Sequence, residues 1–567
     1  MAEDLIREQC EKRLAGLKAA RQPYEADWEE IAQLAAPARC RFLGNRSQRR
    51  RSNRALFDGH ARRSFRTLAS GMTSGLSSRS RPWFRITLPD ADLASRGDVA
   101  AWLGAVEEMI YRFLGRTNFY TASQSGYQEI GLFGTEATVM IEHAEAGAVC
   151  HSLTAGEYWI AQSDALAADT LYRCVPMSTL QCVQAFGLDA VSPAVRDRYD
   201  RSCYDDIVSV FHAIEPNMDR DEDRQDLKGK RFRSIWWDEG ESDRRRLLRV
   251  AGYHEQPFWA PRWETTGGEV YGTSPGFDAL ADMRELQMQA RRKSEAVDMH
   301  IKPEIIVPPQ VQLRRVPGSV VAAAGIDAEG IKIPYQVPYQ TIGVIAEDIE
   351  RCQRAIDVAT YADLFMAITN MPGVQPRNME EIASRNEEKL TQLGPVIERV
   401  ENEKLQVAID RAFAILWRGG LLPTPPRELA GQSLKIEFVS ILAQMQRMIG
   451  LGQIERTLGF AGSLAASHPE IMDLIDADAV LREYADRAGT PPRLLRDAAA
   501  VAQIRGQRQQ AQAMQQAMAA VPAMRGGADA LKTLSETDGG GGQSMLGRIM
   551  AGVGAAAGGG EARGEPA

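Results

Sequence analysis

The sequence predicts an α+β protein built from several parts, and three patterns in its 567 residues support this class. Apolar residues recur at helical spacing towards both ends of the chain. Between them, the region 138–253 alternates short apolar segments with turn residues, which is typical of antiparallel strands. Two more helical stretches, 276–299 and 344–368, enclose a segment rich in Pro, Val and Ile. A helix, a small strand-containing unit and a returning helix therefore predict a protruding hairpin.

The composition is that of a globular chain long enough for several domains. It is 44% hydrophobic and 25% charged, with 67 basic and 75 acidic residues and a net charge of −8. This balance argues against a protein that coats nucleic acid through a broad basic face. The amino terminus is charged and helical, unlike a signal peptide, and no apolar stretch reaches the length that a bilayer requires. We therefore expect a soluble protein with no membrane contact.

The seven cysteines predict neither a disulfide framework nor a zinc site. They are scattered and odd in number, without a CxxC pair or a Cys/His ligand spacing. Reduced thiols in a cytosolic setting, most of them buried as small apolar side chains, fit this pattern. They are Cys10, Cys40, Cys150, Cys174, Cys182, Cys203 and Cys352.

The amino-terminal third is predicted to be mainly helical. Residues 2–35 predict two amphipathic helices that are separated near Pro23. The basic run 39–54 follows, either as a solvated loop packed on acidic neighbours or as an arm that contacts phosphates. We favour the loop, because Phe42 is the one aromatic residue interleaved with the arginines. Further helices are predicted over 56–76, 98–115 and 121–133, with a strand that opens at 82–84.

The middle region is predicted to be rich in strands. One hairpin turn is expected at Ser242 and Asp243. The strands are predicted at 139–143, 148–153, 158–164, 207–214, 232–239 and 247–253.

The carboxy-terminal part is predicted to be helical again. Its main element is a long helix over 378–419, in which Gly394 and Pro395 predict a kink, because an interior proline removes one backbone hydrogen bond and clashes with the preceding turn. A weak heptad-like seam within 498–522 suits association between copies of the chain. A strand at 434–440, short helices over 442–500 and a Gly-rich tail that we expect to be disordered complete the chain.

Acidic and basic residues alternate along the two helices of the predicted hairpin. The simpler interpretation is a set of salt links between residues four apart on exposed helix faces. The alternative is a mixed-charge channel lining, in which excess negative charge would repel DNA phosphates. A helix in a ring has inward and lateral faces, so both interpretations stay open.

The motif search predicts no catalytic residues, no metal and no cofactor. The chain lacks GxxxxGK[ST], HExxH, GxGxxG and an EF-hand loop. His143 and His151 would face each other across a hairpin, but no third ligand is placed nearby, so a surface or core pair is favoured over a metal site. An enzyme built around these two histidines and nearby acids is the least favoured alternative.

The order of these parts resembles the portal proteins, or head-to-tail connectors, of tailed bacteriophages, in particular those typical of short-tailed phages. The resemblance covers about 1–500; each motif is weak alone, but their order and spacing together are specific. They are the helix of Trp28, GMTSGLSS at 71–78, PWF at 82–84, VAAWL at 99–103, TNFY at 117–120, GLFGT at 131–135, YGTSPG at 271–276, KPE at 302–304, NEEKL at 386–390, LGPV at 393–396 and GLLP at 420–423.

The resemblance implies a ring, usually of twelve copies, with the portal fold. That fold has an α/β wing, a two-helix stem, a small β-containing clip, an α-helical crown and a possible C-terminal helical barrel. Carried onto this sequence, the parts are 1–275 (wing), 276–302 (first stem helix), 303–340 (clip), 341–369 (second stem helix), 370–377 (tunnel loop), 378–441 (long kinked helix and wing return), 442–500 (crown), 501–535 (C-terminal helix or barrel) and 536–567 (disordered tail).

The function implied by the resemblance is that of a channel at one capsid vertex of the virion, assembled in the host cytoplasm. A separate large terminase would drive double-stranded DNA through it, and the ring would retain the genome and pass it to the tail. Implied partners are further copies of the chain, the major capsid and scaffolding proteins, and tail adaptor proteins. Another structural virion protein, such as an adaptor or internal core protein, is the alternative.

Candidate functional residues follow from these positions. In the clip, an ordinary small β-unit core within one chain is the alternative to strand pairing between copies. Candidates for DNA contact are Asn370, Met371, Val374, Gln375, Arg377, Arg291, Arg292 and Lys293; clip candidates for contacts between copies or with terminase or adaptor are Ile305, Ile306, Val307, Ile331, Ile333 and Val337; the helix kink is at Gly394 and Pro395.

Overall fold

The computed structural model describes most of the chain and confirms the predicted α+β class, because helices are combined with antiparallel sheets. The chain divides into two compact units, one up to Leu474 and one from Ile475, which are described separately. The described residues are 6–42, 56–94, 96–224, 226–239, 246–303, 337–369, 387–429, 431–448, 451–465, 467–487, 496 and 501–512.

The first unit contains fifteen α-helices and ten strands among its described residues. The helices are α1 (Ile6–Ala35), α2 (His60–Leu76), α3 (Ala91–Ala94), α4 (Gly97–Arg116), α5 (Phe119–Phe133), α6 (Thr179–Phe186), α7 (Pro193–Asp200), α8 (Pro275–Asp278), α9 (Leu280–Ile301), α10 (Tyr339–Ala359), α11 (Ala362–Thr369), α12 (Glu387–Val400), α13 (Val407–Arg418), α14 (Ile441–Met448) and α15 (Leu451–Ala465). The strands are β1 (Phe84–Thr87), β2 (Ala137–His143), β3 (Gly147–Leu153), β4 (Tyr158–Gln162), β5 (Ala168–Ser178), β6 (Ile207–Pro216), β7 (Phe232–Asp238), β8 (Arg249–Tyr253), β9 (Phe258–Trp259) and β10 (Lys435–Phe438).

Helix α1 is a single helix of 30 residues, so the prediction of two helices separated near Pro23 is wrong. The two halves of α1 bury different residues: Leu14 packs on the five-stranded sheet, whereas Trp28 lies in the main core. Pro23 is exposed, so the hydrogen bond that it cannot make lies on the solvent side. Packing of both halves therefore outweighs the local effect of the proline.

Three antiparallel sheets organise the first unit. The largest has the order β4-β5-β6-β7-β8, the second β3-β2-β9, and the third pairs β1 with β10. One face of the five-stranded sheet carries Trp159, Tyr172 and Trp237 against α1, and the other packs on α6 and α7. The predicted strands fall within these sheets, while the turn predicted at 242–243 lies outside the described residues.

The main core joins α2, α4 and α5 to the smaller sheets. Helix α5 ends at Gly134, which has a positive φ of 74° and donates its backbone N–H to Ile130 O at 3.0 Å. A Cβ at this position would lie 2.0 Å from Gly272 O. Gly134 therefore serves both as the left-handed helix cap and as the point where two backbone segments meet.

In the second unit, the described residues contain α16 (Ala477–Arg487) and the helix α17 (501–512). Arg505 of α17 pairs with Asp478 of α16, with Nη1–Oδ2 and Nη2–Oδ1 distances of 2.5 and 2.7 Å. This bidentate pair connects the two helices within the second unit.

Candidate functional site

Helices α9 and α10 form an antiparallel hairpin, in the positions where the sequence predicts two helices around a strand-containing segment. Arg351 Nη2 donates to Glu285 Oε1 at 3.0 Å, and His300 Nδ1 donates to Val337 O at 3.0 Å. The later residue of α9, His300, contacts the earlier residue, Val337, just before α10, and the earlier residue, Glu285, contacts the later one, Arg351. The two helices are therefore antiparallel.

The second hairpin helix is interrupted. The sequence predicts one helix over 341–369, whereas α10 ends at Ala359 and α11 begins at Ala362. Tyr361, between them, has a φ of 53°, a left-handed conformation that an L-residue adopts at a cost. Thr360 is buried, and its hydroxyl donates to Ile356 O at 2.8 Å, which closes α10.

The outer part of the hairpin has little core of its own. On α9 the last buried residue is Gln287, and on α10 the first is Ile349. Large apolar side chains are instead exposed there, by 45% to 75%. They are Met288, Met299, Ile301, Tyr339 and Val344.

The base of the hairpin is held by the residues that precede α2. Asp58 O accepts from Gln287 Nε2 at 2.7 Å, and its Oδ2 accepts from Gln353 Nε2 at 3.0 Å, so one residue contacts both hairpin helices. His60 Nε2 lies 2.9 Å from Asp357 Oδ2. The first turn of α2 therefore fixes the hairpin to the main core.

The three consecutive basic residues proposed for DNA contact do not form one patch. Residues on a helix are about 100° apart, so Arg291, Arg292 and Lys293 point in three directions. Arg291 pairs with Glu295 at 2.8 Å and lies over the Phe57 ring, with 6.0 Å to its centroid. Lys293 is half-buried, and Arg292 is exposed without an ion-pair partner among the described residues.

The charges of the hairpin fit salt links on exposed helix faces. Arg291 and Glu295 are four residues apart, and Arg351 lies 3.6 Å from Asp348 as well as 3.0 Å from Glu285. The other candidate positions at 305–333 and 370–377 lie outside the described residues. Val337 is buried and accepts the hydrogen bond from His300.

A π-helical turn, Glu401–Gln406, separates α12 from α13 within the long predicted helix. Pro395 lies inside α12, with its side chain exposed, and a kink at Gly394 and Pro395 stays a prediction. The buried residues explain the π turn. The buried apolar residues of each helix share one face, but the first one after Val400 is Leu405, five residues on, which is the spacing of a π-helix. The residue four positions after Val400 is the charged Lys404.

The π turn places a lysine in the core. Lys404 and Glu136 are both fully buried, and Lys404 Nζ lies 2.7 Å from Glu136 Oε2. Trp259 Nε1 and Thr138 Oγ1 each donate to Glu136 Oε1 at 3.1 Å, and Lys404 Nζ lies 3.8 Å from the centroid of the Tyr127 ring. Burial lowers the pKa of the Lys404 ammonium, while the Glu136 carboxylate acts in the opposite direction.

Gly126 makes room for this pair. A Cβ at residue 126 would lie 2.0 Å from Glu136 Oε1. The close approach of α5 to the start of β2 therefore requires glycine here, and neither the glycine nor the ion pair was predicted from the sequence. The sequence signal for the π turn was the five-residue interval from Val400 to Leu405, whereas Glu136 lies 268 residues from its partner and left no local signal.

Further ion pairs fix the long helix to the sheets. Arg262 Nη2 lies 2.7 Å from Glu403 Oε1, next to Lys404 in the π turn. Glu255, between β8 and β9, pairs with Arg411 and with Arg418, whose Nη1 lies 2.7 Å from Glu255 Oε2. The π turn and α13 therefore bind the strand region through opposite charges along their length.

The start of the basic run packs on acidic neighbours, as the favoured interpretation of that run expects. Arg39 pairs with the fully buried Glu129, and Arg41 Nη1 lies 3.4 Å from Glu157 Oε1. Burial raises the pKa of the Glu129 carboxyl, and Arg39 opposes that shift. Residues 43–55 lie outside the described part of the chain.

The two histidines proposed as a pair do not face each other, so that expectation is wrong. The register of β2 and β3 places His143 opposite Gly147 and His151 opposite Val139. His143 Nδ1 instead accepts the backbone N–H groups of Glu145 and Ala146, at 3.3 Å each. His143 therefore stabilises the hairpin turn.

Among the described residues there is neither a metal centre nor a hydroxyl or thiol nucleophile in the cavity beside His143. No three His, Cys, Asp or Glu side chains there are grouped to hold a metal ion. A cavity of about 550 Å³ includes His143, Glu142 and Arg418, but its lining contains no Ser, Thr or Cys as a nucleophile. None of the described helices combines the length and the apolar character needed to cross a membrane.

Comparison with known proteins gave matches over nearly the whole chain. A family model described as bacteriophage head to tail connecting protein matches residues 7–495. The probable portal protein of Bordetella phage BPP-1 is 37% identical over 548 residues, covering 95% of this chain and 97% of the relative. The portal protein of Salmonella phage epsilon15 is 37% identical over 540 residues, covering 94% and 96%.

Proposed function

Because the chain belongs to the family of bacteriophage head to tail connecting proteins, we propose that its copies close into a ring at one vertex of the capsid. The ring is the channel through which a separate large terminase drives double-stranded DNA. It then retains the genome and passes it to the tail at ejection. The chain contains no P-loop motif, which agrees with ATP hydrolysis by the terminase.

The observation that carries the ring is the apolar surface on both sides of the α9–α10 hairpin. Met299 and Val344 lie on the side of the Glu285–Arg351 pair, while Ile301 and Tyr339 lie on the side that faces Asp58 nearer the base. Apolar residues on two different sides of the hairpin would be covered by two different neighbouring copies of the chain. A contact in which one face meets a different face of the next copy is heterologous, and it closes into a ring when the rotation permits.

In this ring the α9–α10 hairpin is the stem, and 303–340 is the clip that extends from it. We propose twelve copies, as is usual for the family. The clip residues pair strands between neighbouring copies, which removes strand edges that a monomer would expose. Terminase and tail adaptor proteins bind at the clip, and the major capsid and scaffolding proteins surround the wing.

We place non-specific DNA contact on the loop 370–377 and on Arg292, which is exposed and has no ion-pair partner among the described residues. Arg291 and Lys293 are weaker candidates, because Arg291 already pairs with Glu295 and Lys293 is half-buried. A kink at Gly394 and Pro395 would let the loop shift as DNA passes. Assembly takes place in the host cytoplasm, and the finished ring stays in the virion.

Negative-stain microscopy of hairpin variants tests the proposal. Met299→Asp combined with Val344→Asp places charges on an exposed apolar side, so the monomer should stay folded while rings are lost. Met218→Asp is the matched control, because Met218 is 88% exposed on the β6–β7 loop, away from the hairpin. Rings that survive the double substitution unchanged would contradict the assigned contact.

Position in the virion separates this function from that of an adaptor or internal core protein. A portal occupies a single vertex and binds the large terminase. Labelled antibody against the chain should therefore mark one vertex of emptied capsids. Labelling of many vertices, or of the interior, would favour another structural virion role.

A further inference from the structure

Helix α2 begins with three arginines that no described acidic residue neutralises. Arg63 and Arg66 are exposed, Arg62 is half-exposed, and none of their side chains has an ion pair or hydrogen bond to a described residue. Arg39 and Arg41, at the start of the basic run that precedes α2, pair with acids. The α2 basic face, defined as Arg62, Arg63 and Arg66, is therefore chemically distinct from the start of the basic run.

The α2 basic face is electrostatically unfavourable in the isolated chain. Arg62 and Arg66 are four residues apart and Arg63 and Arg66 three apart, so like charges are neighbours on one helix surface. They also lie near the amino terminus of α2, the positive end of the helix dipole, where acidic residues are favoured. No acidic residue occupies the first turn of α2, and the Asp58 carboxylate already accepts from His60 N and Gln353.

The opposite face of α2 packs on the two helices that lead to residue 370. Ser64 Oγ donates to Asp357 of α10 at 2.5 Å, and a Cβ on Gly71 would lie 2.2 Å from the Phe365 ring of α11. Phe57, just before α2, lies beneath Arg291 of α9. These contacts place α2 beside the hairpin that the proposed function assigns to the channel, and they leave the α2 basic face unpacked and exposed.

We propose that the α2 basic face binds backbone phosphates of double-stranded DNA without reading the base sequence. This inference rests on the proposed function for the position of the DNA, and on the unpaired guanidinium groups for its chemistry. Guanidinium groups bind phosphate through paired N–H donors, and several of them within two helical turns can follow one strand of the duplex.

The salt dependence of DNA binding tests the inference on the full-length protein. The variant Arg62→Gln/Arg63→Gln/Arg66→Gln is compared with Lys12→Gln/Arg112→Gln/Arg116→Gln, which removes three exposed cations from α1 and α4. Fluorescence anisotropy with a labelled 30-base-pair duplex gives Kd between about 50 and 200 mM NaCl. Each lost phosphate contact lowers the slope of log K against log [salt] by about 0.9, so the loss of three contacts in the α2 variant should lower it by about 2.7.

At about 100 mM NaCl we expect the α2 variant to bind DNA at least about tenfold more weakly, with the control variant unchanged. The conservative variant Arg62→Lys/Arg63→Lys/Arg66→Lys should keep the slope, because lysine also neutralises phosphate. Equal changes in the two glutamine variants, or no DNA binding by the wild type, would overturn the inference.

The inference and the proposed function can fail separately. If the glutamine variant loses its rings but its chains still bind DNA with the wild-type slope, the α2 basic face joins neighbouring copies and the DNA inference is wrong. If the wild type forms no rings, and DNA binding is weakened in the α2 variant but not in the control variant, the DNA inference stands and the proposed ring is wrong.

Discussion

At the scale of single residues, the pair formed by Lys404 and Glu136 stands out, because both side chains are fully buried and connect the long helix to β2. Removing one partner of a buried pair leaves the other charge uncompensated in the core. We therefore expect Lys404→Met to lower the free energy of unfolding by about 3–5 kcal/mol in urea denaturation.

Two controls make this prediction specific. Adding Glu136→Gln to Lys404→Met should recover part of the loss, because no unpaired charge remains. Arg112→Met removes an exposed pair with Glu108 and should cost less than about 1 kcal/mol. A loss for Lys404→Met as small as that for Arg112→Met would show that the buried pair does not stabilise the fold.

The lowered pKa of the Glu255 carboxyl predicts how the stability of the folded state depends on pH. Burial alone would raise the pKa of its carboxyl, but the hydrogen bond from Arg418 and the charges of Arg411 and Arg418 outweigh burial and hold the pKa below the ordinary value of 4.5. A lowered pKa stabilises the folded state above 4.5, and that contribution is lost as the pH falls through the folded pKa.

Glu255→Gln should therefore be less stable than the wild type at pH 7, with the difference closing as the pH falls below 4.5. Thermal unfolding between pH 7 and pH 3 measures this difference. A gap that stays constant over this range would mean that Glu255 does not titrate with a lowered pKa.

At the scale of elements, the π turn between α12 and α13 is predicted to tolerate the deletion of one residue, which a regular helix would not. Deleting Asn402, which is exposed, brings Leu405 to four residues from Val400, so that both helices keep their buried faces in a regular α-helix. The variant should fold, with a free energy of unfolding within about 1–2 kcal/mol of the wild type by urea denaturation.

Deleting Glu398, an exposed residue inside α12, is the matched control. That deletion rotates the preceding buried residues by about 100° relative to α13, and it should prevent stable folding. If both deletions were equally damaging, the five-residue interval would not explain the π turn.

The elements differ in how far their sequences predicted them. The predicted strands that became β2, β3, β4, β6, β7 and β8 and the apolar faces of α4 and α5 are local patterns, and the structure has strands and helices there. The internal strand β5 was not predicted. The continuity of α1 through Pro23 depends on two separate packing partners, and the break at Tyr361 depends on burial of Thr360. Such contacts join distant segments, so no window of sequence contains them.

For the candidate site, the sequence predicted the type of element, an exposed helical hairpin, better than its individual contacts. Charge alternation indicated salt links on an exposed hairpin, which Arg291 with Glu295 and Arg351 with Glu285 form. The sequence did not distinguish Arg291, Arg292 and Lys293, which the structure separates because consecutive helical residues point apart. The anchoring of the hairpin by Asp58 joins residues more than 200 positions apart and had no sequence signal.

At the scale of the whole molecule, a well-packed core carries a hairpin whose outer part has little core of its own. Lys404, Arg262 and Glu255 bind the long helix to the strand region, whereas the outer part of α9 and α10 leaves apolar side chains in solvent. An isolated two-helix hairpin gains little stability from so few buried residues. The chain is therefore expected to reach its stable state only with neighbouring copies on both sides of the hairpin.

The mass and image of the purified full-length protein test this central claim most directly. The chain has a mass of 62.5 kDa, so twelve copies would weigh about 750 kDa. Native mass spectrometry should give a single assembly near this mass, and negative-stain images of the same sample should show closed rings with a central hole. A stable, folded monomer at high protein concentration would contradict the account.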